Sequence, residues 1–378
     1  MRRRVLFVTS SYPEPDFPQL GIFVKEHARA AARHADVAVL HLDRSEKVRG
    51  IQFDEAHDGE FPTWRVRYPH SPAPLSYLGN VLAGALGYRR VRRSGFEPDV
   101  LHAHFFLAGI PAVLIGKLAR KPVVVTEQWS VFLPDDPATL SPVVRRAAKF
   151  ALEGADLVLP VSEALRDGIR GAGIDARFRV VPNVYDAALF HPGEVAANGD
   201  GKRILSVGAF YEAKGWEYLF EALALLARER DDVGLEVIGD GPQRAELEAL
   251  RARLGLEERI RLDGWRTKQE VADAMRSADV FTLTSRYDSN PCALIEALGS
   301  GLPVVATRVG GIPGMVPAEA GLLAEPRNPE SIAAGLAAVL DEPGRFDRAA
   351  IAAAARERYS VEHVGAAFAD AYEEVLRR

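Results

Sequence analysis

Residues 285–307 read Ser285-Arg-Tyr-Asp-Ser-Asn-Pro-Cys-Ala-Leu-Ile-Glu-Ala-Leu-Gly-Ser-Gly-Leu-Pro-Val-Val-Ala-Thr307. The apolar run before them, Asp279-Val-Phe-Thr-Leu-Thr284, has the composition of a buried parallel strand. A polar turn carrying Asp288 follows, then a helix starting near Pro291, a Gly-Ser-Gly stop at 299–301 and a second strand, Pro303-Val-Val-Ala-Thr307. Strand, loop, helix and strand in that order make a βαβ unit. In open α/β sheets ligands sit where such loops leave the carboxyl ends of the strands. Pro291 suits the first helical position, whose N–H is unpaired anyway, with Ser289 or Asn290 as the cap. Glu296 then lies about five residues in, ~7.5 Å along the axis. First-turn amides and the helix dipole form an anion site suited to a diphosphate. Asp288 and Glu296 flank that site and can accept hydrogen bonds from sugar hydroxyls. On spacing alone, a plain capped helix with two surface acids explains the stretch equally well.

Outward from this unit the pattern repeats. Toward the N-terminus, strands are expected at Val5–Thr9, Val37–Leu42, Val100–His104, Pro122–Thr126, Leu157–Ser162 and Phe178–Pro182, with helices between them and excursion strands around Arg65–Tyr68. Between Asp186 and Gly201 the composition turns to Ala, Asn, Gly, Pro and His without periodicity, as in a linker. A second alternating half follows from Arg203, and 329–378 is alanine-rich helix. Alternation with β-branched runs implies parallel sheets covered on both faces, here two of them. The expected domains are 1–185, a linker 186–201, 202–358, and a closing helix 359–378.

Composition narrows the class. At 378 residues two domains are the natural expectation, and 48% hydrophobic with 26% charged content fits a globular protein. The single cysteine, Cys292, excludes an internal disulfide framework and a zinc cluster, so a reducing cytoplasm is expected. Residues 1–190 carry 25 Lys and Arg against 21 Asp and Glu, a net of +4; residues 191–378 carry 22 against 31, a net of −9. The start, Met-Arg-Arg-Arg-Val-Leu-Phe-Val-Thr, has too short an apolar run for a signal peptide and reads as a first strand. The longest uncharged apolar stretch, Phe105 to Gly116, falls short of the ~20 residues that cross a bilayer.

Other motifs are weaker. Gly239-Asp-Gly241 follows a strand, but the third position of a dinucleotide fingerprint is Arg244. Asp135-Asp136 reads as a solvated acidic pair in a proline-rich loop. His102 and His104 share one strand face, yet no third ligand appears at a sensible spacing, so no metal is expected. Leu75, Leu78, Val81, Leu82 and Leu86 have helical spacing on a helix ending Arg89-Arg90-Val-Arg92-Arg93. With Arg145, Arg146 and Lys149 this makes a basic, partly apolar face suited to anionic lipid, although arginines at a helix C-terminus are favoured by the dipole in any case. Aromatic residues do not interleave with the cluster, which argues against nucleic acid.

Taken together, the stretch 288–296 resembles the E-x7-E region of retaining glycosyltransferases of family 4, which have the two-Rossmann GT-B fold. Further pieces in matching order are the Gly21 loop, Asp99-Val-Leu-His-Ala-His104, Val161-Ser162, Val181-Pro-Asn183, Val207-Gly-Ala-Phe-Tyr-Glu-Ala-Lys-Gly215, Ile238-Gly-Asp-Gly-Pro242 and Gly310-Gly-Ile-Pro313. The resemblance implies an α/β architecture of two Rossmann-like domains facing across a cleft, the N-terminal one taking the acceptor and the C-terminal one the nucleotide sugar. It assigns Glu296 to the donor ribose, Asp288 to the donor sugar with help from Asn290, Pro291 and Cys292, and Lys214 to the diphosphate. Gly21 would approach the donor phosphates, with a helix-starting glycine as the plain alternative. His104 would be either an acceptor-side catalytic group or a packed structural histidine. The departures are Asp288 for the first glutamate, Ala209 for a second phosphate-binding arginine, for which Arg286 or Arg308 are candidates, and Gln128 for a histidine. Glutamine can hold a sugar hydroxyl but cannot shuttle a proton.

The resulting expectation is retaining transfer of a sugar from a nucleotide sugar to a carbohydrate or lipid-linked acceptor, without metal or other cofactor, in the cytoplasm at the inner membrane face. Arg89, Arg90, Arg92 and Arg93 would make the peripheral membrane contact. Two alternatives stay open. One is a nucleotide-sugar epimerase using Asp288 and His104; the other is a weakened binding subunit, suggested by Ala209 and Gln128.

Overall fold

The computed structural model describes all residues except 1, 15–18, 58–59, 73–74, 139, 194–200, 343 and 378. The chain forms two compact units, one of Met1–Phe132, Pro137–Val184 and Val361–Arg378, the other of Leu133–Asp136 and Tyr185–Ser360.

The first unit holds β1 (Arg3–Thr9), α1 (Ile22–Ala31), β2 (Ala35–Ser45), β3 (Gln52–His57), β4 (Pro62–Pro69), α2 (Leu75–Arg93), β5 (Val100–His104), α3 (Phe105–Ala119), β6 (Val123–Glu127), α4 (Pro142–Glu153), β7 (Leu157–Pro160) and α5 (Glu163–Gly171). Its sheet runs β3-β4-β2-β1-β5-β6-β7, parallel except for the β3–β4 pair. Every residue of β5, β6 and β7 is buried, because helices cover both faces and the strands bring Val and Leu to each. The expected strand at 178–182 is only extended backbone that bonds to Val158 and Pro160, with one isolated bridge, Val158 to Phe178. Pro182 ends the run and has no N–H to continue a ladder.

The second unit holds β8 (Lys202–Val207), α6 (Trp216–Glu229), β9 (Val233–Ile238), α7 (Arg244–Arg253), β10 (Ile260–Asp263), α8 (Lys268–Ser277), β11 (Val280–Leu283), α9 (Cys292–Gly299), β12 (Val304–Thr307), β13 (Gly321–Ala324), α10 (Pro329–Asp341) and α11 (Arg348–Tyr359). Its sheet is parallel throughout in the order β10-β9-β8-β11-β12-β13. The chain builds outward from β8 to one side, then returns to place β11 on the other. The strand order therefore reverses between β8 and β11, and the carboxyl ends of those two strands are the topological switch point.

The residues expected to be linker divide. Those at 194–200 lie outside the described residues. The segment before them is packed, with Tyr185 and Phe190 fully buried in the core of the second unit and the Tyr185 N–H bonded to Tyr359 O. Two aromatic side chains therefore pull that segment onto the unit it precedes, which periodicity could not show. The last helix, α12 (Val361–Leu376), belongs to the first unit, where Val364, Phe368, Ala371, Tyr372 and Val375 join the core beside α1. Gly365 allows the two helices to touch, since a Cβ there would meet Ala30 O at 2.4 Å. Burying each of the large side chains contributes about 1.5–3 kcal/mol, enough to hold a helix far from its neighbours in sequence.

Candidate active site

The two loops that leave the switch point in the second unit are tied together. Thr284 Oγ1 donates to the Lys214 and Gly215 carbonyls, and Arg286 N–H donates to Ala213 O. Gly215 is needed there, because its φ is +62° and a Cβ would sit 2.4 Å from Thr284 O. This bracing brings Lys214, after β8, onto Asp288, after β11. Lys214 Nζ lies 2.6 Å from Asp288 Oδ2, with the side chains 25% and 14% exposed. Such an ion pair is part-solvated and open to exchange for another anion. On its other side the Asp288 carbonyl accepts from Gly311 N–H, and Gly310 passes so close that a Cβ would meet that carbonyl at 2.1 Å.

The helix α9 begins one residue later than the sequence suggests. Pro291 is its N-cap, at φ −66° and ψ 121°, and Cys292 its first residue. Neither Ser289 nor Asn290 caps it: α9 has no side-chain cap hydrogen bond. Asn290 turns inward, 3.2 Å from Met315 Sδ, and Ser289 Oγ is buried without a hydrogen-bond partner among the described residues. The extended backbone at Pro291 carries the two polar side chains away from the first turn, so that no capping side chain competes for its positive end. Glu296 is half-buried on the helix that follows.

A second clamp for a diphosphate does not come from Arg286. Its guanidinium is held by Glu212 and Glu217 and lies over the Tyr218 ring. Arg308 sits half exposed, with Nε 3.5 Å from Glu325. Ala209 offers its carbonyl, which accepts from Trp216 Nε1 and Tyr211 N–H. The Gly239-Asp-Gly241 loop is explained by backbone approach: a Cβ at Gly239 would lie 1.9 Å from Gly208 O, and one at Gly241 2.8 Å from Phe210 N. Asp135 is not simply solvated, since Oδ2 accepts from Gly310 N–H at 3.3 Å. A hollow of about 380 Å³ lined by Arg203, Glu236, Arg259 and Arg261 lies toward the amino ends of β8, β9 and β10, away from Lys214 and Asp288.

In the first unit the expected site residues have a different character. Gly21 has φ +65° at the start of α1, and a Cβ would meet Ser11 C and O at 2.5 Å. That steric reason suffices for a glycine. His104 does not face solvent; it is fully buried, packed against the rings of Phe7 (5.0 Å) and His102 (4.7 Å), and neither ring nitrogen has a partner among the described residues. Burial first, then the neighbouring His102 and His27, holds its pKa well below the usual histidine range, so the ring is neutral. The acid–base pair that an epimerase would draw from Asp288 and His104 loses its histidine. Gln128 is half-buried, its Nε2 3.4 Å from His27 Nδ1.

Two buried groups here, His27 and Glu127, escaped the sequence reading, and the structural role of a third, His102, did too. His27 is fully buried, which lowers its pKa to about 4. His102 joins Tyr372 OH (2.8 Å) and Thr126 Oγ1 (2.7 Å), fixing α12 to the sheet. Glu127 accepts the N–H groups of Phe106 (2.8 Å), Gln128 (3.0 Å) and Trp129 (2.9 Å). Burial outweighs those bonds and pushes its pKa up to about 7. Only the position of Glu127 at the end of an apolar strand could have drawn notice to it. Among the described residues no group of three His, Cys, Asp or Glu is placed to hold a metal ion.

Residues 190–358 match the family model described as glycosyl transferases group 1, and residues 21–184 match that of a glycosyl transferase 4-like domain. The chain is 31% identical over 306 residues to the 2-deoxystreptamine glucosyltransferase of Streptomyces kanamyceticus, covering 72% of this chain and 78% of that protein. It is 30% identical over 275 residues to the D-inositol 3-phosphate glycosyltransferase of Corynebacterium efficiens, covering 66% of this chain and 65% of that protein's length. Among solved structures, Anabaena HepE in complex with UDP superposes with a TM-score of 0.77 at 19% identity, over 98% of this chain and 100% of that one. This likeness shows the fold. With two parallel α/β units of this topology and family matches over both, the chain belongs to the group 1 glycosyl transferases of family 4, on the GT-B fold.

Proposed function

We propose that this chain transfers a glycosyl group from a nucleotide sugar to an acceptor hydroxyl, with retention at the anomeric carbon. The observation that carries the reading is the Lys214–Asp288 pair at the switch point, on the loop that leads into α9. In this reading Lys214 and the α9 dipole receive the donor diphosphate, Asp288 and the backbone of Asn290, Pro291 and Cys292 hold the sugar, and Glu296 takes the ribose hydroxyls. The acceptor oxygen bonds to the anomeric carbon on the face the diphosphate leaves. The carbon–oxygen bond to the diphosphate breaks, its electron pair stays on the diphosphate oxygen, and that oxygen takes the proton of the acceptor hydroxyl. Lys214 stabilises the charge developing there. This route requires no protein nucleophile and no proton shuttle at position 128, and Gln128 serves to hold an acceptor hydroxyl. UDP in the HepE structure makes uridine nucleotides the first donors to test, and the activities of the relatives point to carbohydrate or cyclitol acceptors.

Placement at a membrane surface is supported by α2. Its small residues Ala83, Gly84 and Gly87 face the protein, and Leu75, Leu78 and Leu82 point out at 62%, 66% and 50% exposure. Arg90 lies over the Phe53 ring and Arg92 pairs with Glu97, whereas Arg89 and Arg93 have no ion-pair partner among the described residues. No helix of the described residues is long and apolar enough to cross a membrane. An exposed leucine stripe ending in free arginines suits an anionic lipid surface and a lipid-linked acceptor, as in cell-surface polysaccharide or glycolipid synthesis.

A thermal-shift screen with UDP-, GDP- and ADP-sugars tests the donor reading, since a ligand bound to the native state alone raises apparent stability. One class should raise the melting temperature in the wild type and not in Glu296→Ala. A new nucleotide sugar formed from donor alone would contradict transfer. Sedimentation with phosphatidylglycerol vesicles tests the membrane reading: Leu78→Glu with Leu82→Glu should abolish it.

A further inference from the structure

The loop leaving β6 presents an aromatic surface that the proposed reaction does not yet use. Trp129 is 41% exposed, whereas Val131 and Phe132 beside it are buried. Its indole lies parallel to the Phe106 ring, at 5.6 Å between centroids and 12° between planes, and Phe106 is fully buried. Phe132 packs edge-on against Phe106 at 6.1 Å. One face of the exposed indole is therefore backed by a fixed aromatic layer.

The backbone beneath is fixed as well. A single buried carboxylate, Glu127, accepts the N–H groups of Gln128 and Trp129 on one oxygen and that of Phe106 on the other. It joins the start of α3 to the loop and sets the two stacked rings against each other. Phe105, between β5 and this contact, has φ +66°, a left-handed conformation that a bulky residue adopts only when its surroundings impose it. Next to the indole, Gln128 offers an amide whose Nε2 is already directed to His27 Nδ1.

A rigid flat aromatic at the carboxyl end of a parallel strand, with an amide beside it, fits a ring having one C–H face and a rim of hydroxyls. We propose that Trp129 is the stacking platform for the acceptor's pyranose or cyclitol ring. Glu127 is its positioning residue. This inference rests on the glycosyl-transfer reading and adds to it the side chain that receives the acceptor ring. A lipid surface is the weaker occupant, because Trp129 is a single exposed ring with buried neighbours, Val131 and Phe132, and a polar amide at its side.

The test is saturation-transfer NMR and calorimetric titration of the full chain with methyl α-D-glucopyranoside, methyl α-D-mannopyranoside and myo-inositol. UDP, GDP and ADP are titrated in parallel. The wild type should bind at least one ring probe, with saturation strongest on the protons of one ring face. Trp129→Ala should weaken it about tenfold, and Trp129→Phe, which keeps a ring, should weaken it less. Glu127→Gln should also weaken it, through loss of the acceptor for Phe106 N–H, while nucleotide affinity reports that the second unit is intact. No probe binding to the wild type, or a Trp129→Ala affinity within about twofold of wild type, overturns the platform. So does a loss of vesicle binding in Trp129→Ala with ring binding unchanged. If the probes bind and no nucleoside diphosphate does, the transfer reading fails while the ring site stands.

Discussion

Two clusters of polar residues lie at the carboxyl ends of the two sheets, and they differ in hydration. In the second unit Lys214 and Asp288 are charged, paired at 2.6 Å and part-exposed. In the first, His27, His102, His104 and Glu127 are fully buried among aromatic rings, and burial drives each histidine toward its neutral form. An ion pair in contact with water can trade partners at little cost when an anion arrives. A neutral buried cluster cannot, because charging it means leaving water behind. The first arrangement suits ligand binding and the second suits holding α12 and the β6 loop in place.

The largest expected separation between the clusters is in activity. Lys214→Ala or Glu296→Ala should lower transfer by about 10²–10³-fold, the scale of removing one preorganised electrostatic partner. Stability should change by less than about 1 kcal/mol, because Lys214 forms a part-solvated pair. His102→Ala should do the reverse. It removes the links to Tyr372 and Thr126 and leaves a cavity, costing about 2–4 kcal/mol by urea unfolding.

The next effect is in the pH dependence of stability. His27 and His41, lowered by burial to about 4 and about 3, contribute stability that is present above the unfolded value near 6.5 and lost as pH falls through the folded values. Glu127 acts in the opposite sense. Its folded pKa of about 7 exceeds the ordinary 4.5, so the folded chain holds a proton that the unfolded chain has shed, and stability falls as pH rises from 4.5 to 7. At about 1.4 kcal/mol per unit that is about 3–4 kcal/mol. Glu127→Gln should remove this decline while leaving the loss below pH 6.5 from the histidines. An unchanged slope would mean that the carboxylate stays charged on its three N–H donors. The smallest effect is at Asp288. Asp288→Asn frees the Lys214 ammonium and should tighten nucleoside diphosphate binding by about threefold even as transfer is lost.

How much was legible follows the same division. The βαβ unit at 279–307, the two alternating halves and the Lys214 loop were readable, because apolar strands, glycine turns and a cation after a strand are local signals. The capping of α9 was not, since whether Ser289 and Asn290 turn toward the helix depends on Met315, distant in sequence. His104 was readable as a histidine ending a strand, either packed or facing an acceptor, and local sequence could not decide between the two. Its burial comes from Phe7, His102 and His27, brought together by β1, β5 and α1. Trp129 and Glu127 were passed over beside Gln128 because a single exposed indole and a single buried acid acquire meaning only from Phe106, which reaches them through tertiary structure.

The most direct test of the account is calorimetric titration of UDP, GDP and ADP against the wild type, Lys214→Ala and Glu296→Ala. The account predicts that at least one of the three nucleotides binds the wild type and that each substitution weakens it by about tenfold or more. Wild-type affinity retained in both variants, or no binding of any of the three to the wild type, would contradict it.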